Sequence, residues 1–189
     1  MALTSTQVVN RAIFIMGDNQ QPVTGVAPNF DSSTAGVAAA QLYAGAVATV
    51  ARQFEWDFTR QTLALVLSGN PAPFPWAFEY LYPAQCVEIW QVAPSALADA
   101  NNPMPVNWNV AYNTVGGNPT KVVQTNQANA LAIFNANPPE AVWDSIFTEA
   151  VVRLLASEMA MAIAGKPDFA AAALESGAAF ESIGEARKG

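Results

Sequence analysis

The sequence predicts an α+β fold, a helical bundle of about four helices with a small, mainly antiparallel β-sheet inserted between the second and third. Ala-rich segments with apolar residues at helical spacing fill the first and last thirds of the chain. The middle third holds short β-branched or alternating runs separated by Pro, Gly and Asn. The order is helix, helix, strands, helix, helix, with no internal repeat. The predicted divisions are N-terminal helices over 1–58, a β insertion over 59–136 and C-terminal helices over 137–189, forming one continuous structural unit.

In "TSTQVVNRAIFIMG", Thr4 followed by Gln7 matches a capping box. Val8, Val9, Ala12, Ile13 and Met16 recur on one helical face, and Gly17 is placed to end the helix. Residues 18–30, marked by Pro and Gly, read as loop. A second helix begins with Asp31 or Ser32 as its cap and carries a stripe of Tyr43, Val47, Val50 and Phe54. Its remaining residues are mostly Ala and Gly. Small residues let backbones approach, so the helix is expected to be central, with Gly36 and Gly45 at close contacts.

After "FEWDF" the period changes. "TLALVL", "QCVEIWQV", "VNWNVAYN", "TKVVQT" and "ALAIFN" read as strands, and "GGNP" as the turn between the third and fourth of them. Val106, Trp108, Val110 and Tyr112 are expected to face the core, with the intervening Asn residues in water. Helix returns at Pro138-Pro139, with Phe147, Ala150, Val151, Leu154, Met161 and Ala162 on the buried side and Gly165 at the end. Asp168 caps a last helix with Phe169, Ala173, Gly177 and Phe180 on one face.

Hydrophobic residues make up 52% of the 189 residues and charged residues only 12%, against about 25% charged in an average chain. A surface so poor in charge favours stable assembly. The net charge is −7, and the eight Lys and Arg are scattered, with only Arg187 and Lys188 adjacent. Gripping duplex DNA needs several cations against phosphates, so a basic DNA-binding patch is not expected. No uninterrupted apolar run of about 18 residues appears, and the start lacks a basic segment followed by an apolar one; neither a membrane span nor a signal peptide is expected.

The chain has no histidine and one cysteine, Cys86. That removes the common zinc sites and the Ser-His and Cys-His nucleophilic systems. Cys86 reads as a small buried hydrophobe. "VGGNPTK" reads as a β-turn and no phosphate-binding loop is present. Glu55 and Asp57 are the nearest approach to a carboxylate pair, with Trp56 and Phe58 as a possible apolar wall; their plainer role is as solvated charges. Trp56, Trp76, Tyr80, Tyr82, Trp90 and Trp108, with Asn101, Asn107 and Asn109, would suit a carbohydrate platform. The commoner use of such residues is core and subunit interface. No cofactor is expected.

The order of these signals carries a resemblance. "RQFEWDF" at 52–58 follows an Ala-rich helix, "FEYLYPAQCVEIWQV" at 78–92 follows an extended segment, and "VWDSIFTEAVVRLLASEMAMAIAG" closes at 142–165. This resembles the head-to-tail adaptor family of tailed phages and is similar to the tail tubular proteins of short-tailed phages. Trp56 and Phe58 match the family's W-x-F. Tyr80, Pro83 and Cys86 match its Y-x-x-P-x-D-C. Trp143, Phe147, Leu155-Ala156 and Ala160 match its W-x-x-x-F helix. Gln85 departs from the pattern by standing where the family commonly has Asp. The resemblance covers roughly residues 5–165.

It implies a non-enzymatic structural protein of the virion neck, made in the host cytoplasm. Such adaptors form a ring, usually of twelve copies, beneath the portal. The ring extends the DNA channel without binding DNA specifically, contacts no membrane and gives later tail or nozzle proteins a platform. The C-terminal segment of the family commonly reaches the portal. Here that places Phe169 and Phe180 as apolar anchors and Arg187 and Lys188 against portal acids. Trp76 and Tyr82 are then candidates for the seam between neighbouring copies. The alternatives are another ring-forming neck component such as a stopper, a carbohydrate-binding module, and a hydrolase using Glu55 or Asp57.

Overall fold

A computed structural model describes residues 3–17, 21–94, 106–164, 171 and 175. The chain is α+β, with three α-helices and small antiparallel sheets among those residues. It divides into two compact units. One comprises Met1–Phe54 with Pro138–Gly189 and holds the three α-helices of the described residues, and the other comprises Glu55–Asn137 and holds most of their strands.

In the helical unit, α1 spans Ser5–Met16. Thr4 caps it through the predicted capping box. Its hydroxyl accepts from the Gln7 amide, and the Gln7 side chain accepts from the Thr4 amide. Gly17 ends it in the left-handed region. Val8, Val9, Ala12, Ile13 and Met16 are buried, as the spacing predicts. The following segment is not wholly loop. β1 (Gly25–Val26) and β2 (Asn29–Phe30) form a short hairpin. Its approach is fastened to α1 by Asn10, whose amide donates to the Val23 carbonyl and accepts from the Val23 N–H.

Helix α2 spans Thr34–Gln53 and is capped by Ser33, not by Asp31 or Ser32. Asp31 is instead the anchor of the cap. Its carboxylate accepts from the amides and hydroxyls of both Thr24 and Ser33. Led by the Ser33 hydroxyl, these donors hold the carboxyl far below the usual carboxylate range. A Cβ on Gly36 would lie 2.3 Å from the Asp31 carbonyl oxygen, so glycine is required there. α2 is long and apolar enough, by length and composition alone, to cross a membrane. Here it buries Ala39, Tyr43, Ala46, Val47 and Val50.

The third helix starts later than the prolines suggest. Glu140–Val142 make a single 3-10 turn, and α3 runs Ser145–Met159 from an Asp144 cap. Phe147, Ala150 and Val151 are buried, but Leu154 is only partly covered, and Leu155 takes the core position. Residues Ala160–Ala164 continue as a π-helix. Its wider turn shifts the helical phase, so Met161 and Ala162, predicted buried, are exposed. Of the fourth predicted helix, capped at Asp168, only Ala171 and Glu175 are described, both helical, and its cap lies outside the described residues.

In the β unit, β3 (Arg60–Ala64), β5 (Cys86–Pro94) and β8 (Ala130–Ala136) form one sheet in the order β3-β8-β5. β4 (Phe78–Leu81), β6 (Trp108–Val115) and β7 (Asn118–Thr125) form another in the order β4-β7-β6. The prediction of one sheet confined between the second and third helices is therefore corrected. The β1–β2 hairpin precedes α2, and the later strands form two sheets. Those two share a core of Tyr80 and Val123 from one and Ile89, Val92, Ala132 and Phe134 from the other. Gly116 and Gly117, both at positive φ, make the tight β6–β7 turn.

Candidate functional site

The aromatic stretch from Phe74 to Trp90 starts in a proline-rich loop. The Trp76 amide donates to the Pro73 carbonyl, and Asn126 accepts from the Ala77 amide at 2.8 Å. Phe74 beside them is 98% exposed. β4 then alternates strictly. Phe78 and Tyr80 turn toward the shared core, and the Tyr80 hydroxyl donates to the Gln127 carbonyl. Tyr82 packs on the same core with the Lys121 ammonium 3.8 Å from its ring centre, a cation–π contact. At Trp90 the β5–β8 register shifts, and the buried indole N–H has no acceptor among the described residues.

Glu79, between the two core-facing aromatics, points to the other side of β4 and is 1% exposed. No cation among the described residues pairs with it. Its carboxylate is held by neutral donors. Asn113 on β6 reaches both oxygens at 3.0 Å, Ser68 reaches one at 2.8 Å and Gln124 on β7 the other at 3.2 Å. Burial pushes the carboxyl pKa up, but the Asn113, Ser68, Gln124 and Asn70 side chains outweigh it and hold the pKa below the usual value. The cage ties β4, β6, β7 and the 68–70 loop together; Asn70 also donates to the Thr114 carbonyl. Sequence reasoning missed this residue. Its signal was a lone carboxylate alternating with Phe78 and Tyr80, readable only once "FEYL" is recognised as a strand.

The helical unit holds its charges differently. Glu149 on α3 is clamped between Arg11 at 2.6 Å and Arg153 at 2.9 Å. The Tyr43 hydroxyl donates to Glu140 at 2.9 Å, and burial together with that carboxylate pushes the phenol pKa well up. Tyr43 also stacks on Trp143, which meets Phe147 edge-on at 4.9 Å. An open cleft of about 400 Å³ beside Thr4 is lined by Ser5, Val26, Ala27 and Glu140. No group of residues able to hold a metal ion occurs among the described residues.

The two glycines predicted at close contacts behave differently. Gly36 is crowded by Asp31, whereas a Cβ on Gly45 would meet nothing within 4 Å. Gly45 belongs to an open face of α2 with Val37, Ala40, Gln41 and Ala44, all exposed. α2 therefore has one covered face and one open, small-residue face.

Of the predicted interface residues, Trp76 and Tyr82 are both partly exposed but flank opposite ends of β4, so they do not form one patch. Phe169, Phe180, Arg187 and Lys188 lie outside the described residues, as does Asn101. Glu55 and Asp57 are exposed. Trp56 and Tyr80, two members of the candidate carbohydrate platform, are 4% and 2% exposed and have no face to offer a sugar. Tyr112, predicted to face the core, is exposed, while Asn113 turns inward to Glu79. No family model matches the chain, and no curated protein matches it either.

Proposed function

We propose that this protein is a non-enzymatic structural subunit of the tailed-phage neck, a head-to-tail adaptor that assembles as a ring under the portal. The observation that carries the reading is the open face of α2. Val37, Ala40, Ala44 and Gly45 present a helix surface on which a neighbour's backbone can approach closely, and among the described residues nothing lies within 4 Å of a Cβ at Gly45. The low charge content and the order of aromatic motifs support the same reading.

In this proposal about twelve copies form the ring, DNA passes through without specific contact, and a tail or nozzle protein docks below. The predicted fourth helix belongs to it too. Residues 168–189 reach the portal through Phe169 and Phe180, with Arg187 and Lys188 meeting portal acids, a helix-in-groove contact.

Gly45→Leu tests the assembly face. Replacing a mid-helix glycine favours the helix by up to about 1 kcal/mol, and a Cβ there meets no described atom within 4 Å. The variant is expected to match or exceed the wild type in thermal stability and to fail to assemble with portal rings. Normal assembly of Gly45→Leu would remove α2 from the interface. Deleting residues 170–189 tests the portal contact: the subunit is expected to fold and to be lost from portal-containing particles, and unchanged occupancy would place the contact elsewhere.

A further inference from the structure

Strand β3 is the outer strand of its sheet, and all five of its residues are exposed, on both faces. The exposure continues through Val66, at 65%, and Leu67, at 57%, interrupted only by Leu65. Arg60 is the single charge over residues 60–67, and no proline falls within them. An open edge of this kind is a template for another strand unless it is blunted.

The ladder shows which backbone groups are open. Leu65 donates its N–H to the Ala130 carbonyl at 2.9 Å, continuing the β3–β8 register that pairs Leu63 with Ala132 and Gln61 with Phe134. Antiparallel pairing alternates bonded and non-bonded positions. Gln61, Leu63 and Leu65 therefore direct their groups at β8, and Arg60, Thr62 and Ala64 direct theirs outward. The Arg60 N–H is used by the Asp57 carbonyl, which leaves its C=O open. From Val66 onward the outward side is occupied, since Leu81 donates to the Val66 carbonyl and Ser68 donates to the Glu79 carbonyl. The open stretch is thus Arg60 to Ala64.

The other edges of the β unit are blunted. β5 has two register shifts, and its Val92 carbonyl accepts from Val106. β4 is covered by residues 66–68. On β6, Thr114 is capped on both groups by the side chains of Asn113 and Asn70. On β6 the device covers the Thr114 position, and among the described residues β3 carries none along Thr62 to Ala64.

We propose that β3 pairs antiparallel with β3 of a second copy of this chain, about a two-fold axis at Thr62. That register pairs Thr62 with Thr62 and Arg60 with Ala64 on each side. It uses both Thr62 groups, the Ala64 N–H and the Arg60 C=O, leaves the Ala64 C=O to solvent because the Arg60 N–H is already bonded, and stops short of Val66, whose carbonyl is also bonded. Thr–Thr cross-strand pairs are favourable. The two Arg60 side chains stand about 14 Å apart along the ladder, farther than the screening length of about 8–10 Å, and each faces a neutral Ala64. A parallel pairing would set Arg60 beside Arg60. The pairing stands apart from the ring reading and uses a different surface.

The test is sedimentation of the full chain over about 1 µM to 1 mM, with Thr62→Pro as the variant. Proline removes the outward N–H at Thr62 without touching the β8 ladder, a position where an edge strand tolerates it. The wild type is expected to dimerise, and Thr62→Pro to dimerise at least tenfold more weakly with an unchanged circular dichroism spectrum. Amide exchange in the wild type provides the second readout and needs no variant. The Thr62 and Ala64 amides gain protection as concentration rises, while Leu63 is protected throughout. A wild type that stays monomeric at the highest concentration overturns the proposal. Association that leaves the Thr62 and Ala64 amides exchanging freely, or that survives in a folded Thr62→Pro variant, overturns it equally. A strand from a different protein as the natural occupant would show itself as a wild-type monomer.

Discussion

The helical unit and the β unit bury polarity by opposite means. In the helical unit the buried acid among the described residues, Glu149, is answered by two arginines at the rim of the core. In the β unit Glu79 lies deeper and is answered by amides and a hydroxyl alone. A pair of formal charges at a partly exposed rim is screened and contributes little. A buried carboxylate with neutral donors depends on every donor being in place, because losing one leaves an uncompensated group in low dielectric. The helical unit is thus held chiefly by apolar packing, and the outer corner of the β unit by a polar network.

The largest effect that separates the two is expected at Phe147, fully buried behind Trp143. Phe147→Ala should cost roughly 3–5 kcal/mol, read as a lowered midpoint in denaturant. A midpoint equal to the wild type would mean the helical unit does not rest on this cluster.

Glu79→Gln comes next. It places an amide N–H₂ among groups that already donate, and is expected to cost about 1–3 kcal/mol. The pH dependence follows from the lowered pKa. With the folded value below the unfolded value of about 4.3, the ionised Glu79 contributes stability above that unfolded value. The contribution is lost as pH falls through the folded pKa. Glu158 in the helical unit has the opposite sign: burial raises its pKa, so its unfavourable contribution at neutral pH is relieved on acidification. Amide protection around β4, taken relative to the intrinsic exchange rate at each pH, should therefore fall in acid in the wild type and change less in Glu79→Gln. Equal acid sensitivity in both would assign the effect to other groups.

This contrast also explains what the sequence made readable. Helix α1 was legible to its cap, because Thr4, Gln7 and the Val8–Met16 spacing are local signals. The α2 cap falls at Ser33, one or two residues beyond the expected Ser32 or Asp31, because Asp31 uses its carboxylate on Thr24 and Ser33, and the Thr24 contact closes across seven residues. The strands were mostly placed, but their grouping into two sheets was not, since strand order depends on pairings such as Arg60 with Asn135. Glu79 escaped for the same reason. Its partners lie on three other segments, and its alternation with Phe78 and Tyr80 does not by itself show that its own face is covered. Tyr112 and Asn113 show the limit of alternation. The pattern gives two faces, but not which face is covered at each end of a strand.

A smaller effect is expected at the helix cap. Thr4→Ala removes the hydroxyl that accepts from Gln7 and should cost about 1 kcal/mol, visible as faster amide exchange in the first turn of α1. The smallest is at Arg11, whose half-exposed pair with Glu149 is expected to contribute less than about 1 kcal/mol. Arg11→Met should shift stability little, and less still at high salt. A large loss there would mean that the helical unit also leans on its charges.

The proposed role, a ring-forming neck subunit, is tested most directly by native mass measurement of the full chain mixed with a portal ring from the same phage. The account predicts a discrete complex of one portal ring with about twelve copies, formed at physiological salt without DNA, and no measurable binding of duplex DNA by the free chain, in line with its net charge of −7 and scattered cations. A chain that leaves the portal ring's mass unchanged at saturating concentration, or that binds duplex DNA tightly and in a salt-sensitive way, would contradict it.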